Sequence, residues 1–144
     1  MRTSSNRIAF LENNQIFVFG SNEGGIHGAG AAKQAVSFGA VYGVAEGLQG
    51  NSYAIPTKDR TVKRTLSVEA IKVYVDRFIE FAKQNPHLTF LVTQIGCGLA
   101  GYSTKTIAPL FENAIPVENI WLPQTFFVIA HQFRCFDQRT RINF

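Results

Sequence analysis

A single α/β domain in three layers, with a mixed sheet built from parallel strand-helix-strand units, is the fold class the sequence predicts. Three observations predict it. Short apolar runs alternate along the chain with longer stretches of helical periodicity. The 12 glycines are clustered: Gly20, Gly24, Gly25, Gly28, Gly30, Gly39, Gly43, Gly47 and Gly50 form one group, and Gly96, Gly98 and Gly101 the other. The chain of 144 residues, 46% hydrophobic and 17% charged, is long and apolar enough for one packed core and unlike a disordered polymer. Residues 1–123 read as a ligand-binding domain, and 124–144 as an aromatic and basic extension of it.

The elements follow in order. Gln15-Ile16-Phe17-Val18-Phe19 is a buried strand, and the glycine loop behind it leads into a helix over Ala31–Val36. Residues 39–50 read as a flexible loop. Ser52-Tyr53-Ala54-Ile55 is a short strand ending at Pro56. Leu66, Ile71, Tyr74, Val75, Phe78, Ile79 and Ala82 then fall on one helical face. Ser67 suits the cap of that helix, Glu69 its first turn, and Asn85-Pro86 its stop. Thr89–Ile95 repeats the first pattern: a strand, the second glycine cluster, then a helix over Ser103–Ala114 capped by Ser103 or Thr104. Asn119–Leu122 is a last central strand before Pro123. In the extension, Phe126–Ala130 reads as a further edge strand or an oligomer contact, with Phe133, Phe136 and Phe144 set among basic residues.

Composition excludes several classes of function. No apolar run approaches the roughly 18 residues of a membrane span. No apolar signal core follows the N-terminal Arg2 and Arg7, so a cytoplasmic protein is the expectation. Cys97 and Cys135 make neither a disulfide framework nor a metal-ligand cluster. The net charge of +4 includes +2 from the tail, where Arg134, Arg139 and Arg141 face one Asp137. The one tight basic cluster is Lys58, Arg60, Lys63 and Arg64, diluted by Asp59. That suits an anionic small ligand better than a nucleic-acid track. Gly28-Ala29-Gly30 opens a dinucleotide fingerprint, but Lys33 stands where its third glycine belongs. No P-loop is present.

The glycine loops carry the chemistry. Loops leaving the carboxyl ends of parallel strands gather at one sheet edge, where open α/β sheets bind ligands. Glycine lets backbone amides approach a ligand with no side chain between them, and amides leading into a helix favour phosphate oxygens. Several side chains nearby have two readings. His27 can donate to a phosphate or act as a base, or it can cap backbone groups. Asn22 can orient a ribose hydroxyl or a water, or it can form the turn. Cys97 can be a nucleophile, although a small residue between glycines reads better as a tight fit. Lys58 suits a phosphate contact, and Tyr102 either stacks on a ligand or plugs the core. His87 and His131 read as structural.

Phe17–Ala35 (FVFGSNEGGIHGAGAAKQA) resembles the first ligand loop of macrodomains, and Gln94–Tyr102 (QIGCGLAGY) their second, over a likeness that runs from Ile16 to Pro123. The Ile95–Leu99 stretch is most similar to the branch that removes ADP-ribose from acidic side chains or nucleic-acid ends. The resemblance implies a distal-ribose loop at Asn22, Gly24, Gly25, Gly28 and Gly30, flanked by Gly20, Ser21, His27 and Ala31. It implies a diphosphate loop at Ile95, Gly96, Cys97, Gly98 and Leu99, continued by Ala100, Gly101 and Tyr102. Lys58, after Thr57, stands where the branch has its attacking lysine, with Asn22 and His27 as further catalytic candidates. Ala100 and Gly101 replace the acidic partner of that lysine, and Glu12 is the nearest residue to the family's adenine-contacting acid. The implied ligand is ADP-ribose or a related nucleotide diphosphate, free or carried by a protein or nucleic acid. Hydrolysis of an ADP-ribosyl bond stays open. No cofactor, metal or membrane is implied, and a homodimer through the tail is the expected assembly if one forms. The alternative is a non-catalytic module that binds nucleic acid or another polyanion through its basic and aromatic surface.

Overall fold

The computed structural model describes residues 2–142, and side chains through residue 139; Phe144 and the side chain of Arg141 lie outside that range. A six-stranded mixed sheet forms the middle layer. Its strands are β1 (Thr3–Ser4), β2 (Gln15–Asn22), β3 (Gly47–Gln49), β4 (Ser52–Lys58), β5 (Thr89–Val92) and β6 (Ile120–Pro123). They lie in the order β1-β6-β5-β2-β4-β3, and only β3 runs antiparallel to its neighbour.

Alternation along the strands separates two cores. Ile16, Val18, Tyr53, Ile55, Phe90 and Val92 face one side. There they meet α2 (Val68–Gln84), α3 (Thr104–Ile107), a 3-10 segment (Ala108–Ala114) and α4 (Gln124–Ile142). Phe17, Phe19, Ala54 and Leu91 face the other side, against Ala32 and Ala35 of the short α1 (Gly30–Val36). The α2 helix starts and stops as expected: the Ser67 hydroxyl accepts from the Ala70 amide, and the helix ends at Gln84, before Asn85-Pro86. β2, β4 and β5 are parallel neighbours, so their carboxyl ends and both glycine loops come to one edge of the sheet.

Several boundaries differ from the sequence reading, each for a local reason. Phe126–Ala130 is helical, not an edge strand. Phe126 and Ala130 are both fully buried while Val128 is 43% exposed. A strand would place all three on one face; a helix puts Val128 opposite the other two. The slot beside β6 that an edge strand would need is filled by β1, whose Thr3 and Ser4 pair with Leu122 and Pro123. Residues 39–50 are not a free loop, because Gly47–Gln49 pairs with Ser52–Ala54. β4 runs past Ile55 to Lys58; Pro56, which has no N–H to give, sits where the β2–β4 register shifts. β5 stops at Val92. The helix expected over Ser103–Ala114 begins with Ser103 as its cap, then tightens into 3-10 geometry at Ala108, beside Pro109.

Candidate functional site

A cavity of about 430 Å³ opens at that sheet edge. The ends of β2 and β4 line it with Gly20, Ser21, Asn22, Thr57 and Lys58. Ile26, Gly28, Ala29, Gly30, Ala31 and Ala32 contribute from the first loop and α1, and Thr93, Gln94, Ile95, Gly96, Gly98, Leu99 and Ala100 from the second loop. Val62 closes one side.

The first loop is held from within. Asn22 Oδ1 accepts from the Ile26 amide at 2.9 Å, and its Nδ2 donates to the Ile26 carbonyl at 2.7 Å. Both ends of that side chain are thus committed to the turn, as in an Asx motif. Gly25 sits at φ +67, and a Cβ there would stand 2.4 Å from the Gly43 carbonyl carbon. A Cβ on Gly24 would lie 2.5 Å from the Arg60 carbonyl oxygen. His27 is buried against Phe19 and Tyr42, away from the cavity, with Nε2 3.2 Å from Gln49 Oε1. That oxygen also accepts from the Val41 amide, so His27 carries its proton on Nε2. The ring Nδ1 has no hydrogen-bond partner among the described residues. Neither Asn22 nor His27 presents a free polar group to the cavity, and both read as structural rather than catalytic.

The second loop is held at its ends, by a Gly101-to-Gly98 backbone bond and by a tie at Ala100. Gly96 is at φ +78, with Ile107 Cδ1 3.1 Å from where its Cβ would be, and its carbonyl accepts from the Tyr102 amide. Tyr102 packs against the larger core and donates its hydroxyl to the Leu66 carbonyl at 2.8 Å, so it plugs the core and does not line the cavity. Cys97 packs against the same core; burial pushes its thiol pKa up, with a hydrogen bond to Thr104 opposing this. Between these anchors Leu99 is 70% exposed. The amides of Gly28, Gly98, Leu99 and Ala100 make no hydrogen bond among the described residues.

The third wall is the turn after β4. Asp59 braces it: its carboxylate accepts from the Thr61 amide and hydroxyl, and these bonds hold its pKa below the usual carboxylate value. Val62 takes φ +65 there, an uncommon conformation for a β-branched residue. Thr65 Oγ1 donates to the Ala100 carbonyl at 2.9 Å and ties this turn to the second loop. Lys58 is half-buried at the turn's base, paired across the sheet with Asn22.

The glycines divide sharply. Gly24, Gly25 and Gly96 are required by packing or by left-handed φ. Gly28 and Gly98 have neither positive φ nor any heavy atom within 4 Å of where a Cβ would stand. Of the residues expected at the site, Gly24, Gly25, His27, Cys97, Gly101 and Tyr102 lie outside the lining. Ile26, Ala29, Ala32, Val62, Thr93 and Gln94 belong to it and were not expected. Thr93 directly precedes the second motif and Gln94 opens it, positions that flag them; nothing in the sequence marks Val62.

A second cavity, of about 740 Å³, adjoins the first through Ala31, Thr93 and Gln94, and is lined by Ser5–Ala9, Phe17, Gln34 and Pro123. Glu12 lines neither cavity. No helix among the described residues is long and apolar enough to cross a membrane. No protein-family description matches the chain, and no curated protein matches it. The chain is similar in fold to a solved structure described as a protein of unknown function from Bacteroides thetaiotaomicron. The TM-score is 0.56 at 11% identity, over 80% of this chain and 88% of that one, a likeness that shows the α/β fold and nothing finer.

Proposed function

We propose that the chain binds ADP-ribose, or a related nucleotide diphosphate, in the cavity between its two glycine loops. One observation carries the reading: Gly28, from the first loop, and Gly98, from the second, both line the cavity without a folding reason to be glycine. Space left free of Cβ atoms beside unpaired amides is what a phosphate-bearing ligand needs. Lys58 is the only ionisable side chain in that lining and supplies the matching charge. The adjoining cavity gives a long ligand room for a second, less charged portion. No carboxylate lines the first cavity, so nothing beside Lys58 is placed to activate a water, and the reading is of binding rather than turnover.

Titration calorimetry with ADP-ribose, ADP and AMP tests it. The expected result is saturable binding, tightest for ADP-ribose. A ligand at about 100 times its dissociation constant should also raise the melting temperature by about 8 °C, from roughly 2.7 kcal/mol of linkage. No heat and no stabilisation at millimolar ADP-ribose would overturn the proposal.

A further inference from the structure

Outside the cavity lining, α4 carries a pair of metal-ligating side chains one helical turn apart. His131 Nδ1 and Cys135 Sγ share a hydrogen bond at 3.6 Å. A tetrahedral zinc ion, with Zn–N near 2.05 Å and Zn–S near 2.3 Å, holds a nitrogen and a sulfur ligand about 3.6 Å apart. The two side chains therefore already stand at the bite distance of one ion. They lie on the outward part of the helix: Phe126 and Ala130 form its buried stripe, while His131 is exposed and Cys135 half-buried. Of the neighbouring cations, Arg134 is drawn aside, its Nη1 donating to Asn113 Oδ1 at 3.3 Å, while the exposed Arg139 follows one turn beyond Cys135.

Among the described residues no third His, Cys, Asp or Glu joins the pair, so one chain supplies half of a structural zinc site. A second copy, related by a two-fold axis along this stripe, would supply the same two ligands and complete a closed four-coordinate set. Val128, three residues before His131 and seven before Cys135, shares the stripe and is 43% exposed, so the same contact would cover an apolar side chain. We propose that His131 and Cys135 form a half-site for a divalent zinc-type ion, completed by the same pair from a second copy of the chain. Binding converts the Cys135 thiol to thiolate and releases its proton to solvent, while His131 ligates through the neutral Nδ1.

Cobalt(II) added to the reduced full-length chain tests this, with zinc as competitor and light scattering for mass. The expected result is a thiolate-to-cobalt absorption band that saturates at one ion per two chains. The mass should double from 16.0 kDa as the band grows, and zinc should abolish the band. Cys135→Ala and His131→Gln should each lose the band and the dimer, whereas Cys97→Ala should keep both. The metal-free variants should melt as wild type does. Absence of the band at excess cobalt, its survival in Cys135→Ala, or one ion per chain at monomer mass would each overturn the proposal.

Discussion

The two glycine loops meet over one cavity but are built in opposite ways. The first is fixed from inside, by both ends of the Asn22 side chain, by Gly24 and Gly25 wedged against backbone, and by the buried ring of His27. The second is pinned at Gly96 and Tyr102, with a Gly101-to-Gly98 turn bond and one tie from Thr65 to Ala100, and leaves Leu99 largely in solvent. A wall locked by side chains and packing faces one with an exposed Leu99, so a pre-formed surface that costs little ordering on binding meets a side chain with room to settle on a ligand. The difference teaches that a glycine cluster in sequence is not one signal. Some of its members hold the chain and others leave room.

Substitutions can break this comparison, beginning with the largest effect. Gly25→Ala forces a side chain into backbone at 2.4 Å in a left-handed conformation, and should cost about 3 kcal/mol or more of folding stability in chemical denaturation. Tolerance of alanine there would mean the first loop is not locked. Asn22→Ala removes two hydrogen bonds from a buried turn and should cost about 2 kcal/mol, again read by denaturation. A loss of ligand affinity with stability unchanged would instead return Asn22 to a direct role at the site. Lys58→Ala should leave stability within about 0.5 kcal/mol and weaken ADP-ribose about tenfold by calorimetry, roughly 1.4 kcal/mol. The wild-type affinity should fall with added salt more steeply than that of the variant. Equal affinities would remove Lys58 from the site.

Much of the fold was legible because it rests on local rules. The Ser67 cap, the apolar face of α2, the stop at Asn85-Pro86 and the strands over Gln15–Phe19 and Ser52–Ile55 all follow from periodicity and capping chemistry. The failures were those of long-range competition. Phe126–Ala130 reads as a strand until β1 is known to occupy the neighbouring edge, and nothing in residues 3 and 4 advertises a strand. The site was legible in outline, since strand ends followed by glycines do converge. Its interior was not. Whether His27 or Tyr102 faces a ligand or the core depends on Gln49 and Leu66, partners 22 and 36 residues away. Val62 entered through a turn whose shape is set by Asp59.

The central claim is that Gly28 and Gly98 serve a ligand and not the fold. Alanine at both positions, in one double variant, tests it most directly when stability and ADP-ribose affinity are measured on the same protein. With open space around each Cβ and no positive φ, stability should be unchanged or raised by up to about 1 kcal/mol through loss of unfolded-state freedom. Affinity should fall at least tenfold, about 1.4 kcal/mol. Lowered stability with affinity intact would contradict the claim, because the two glycines would then belong to the fold.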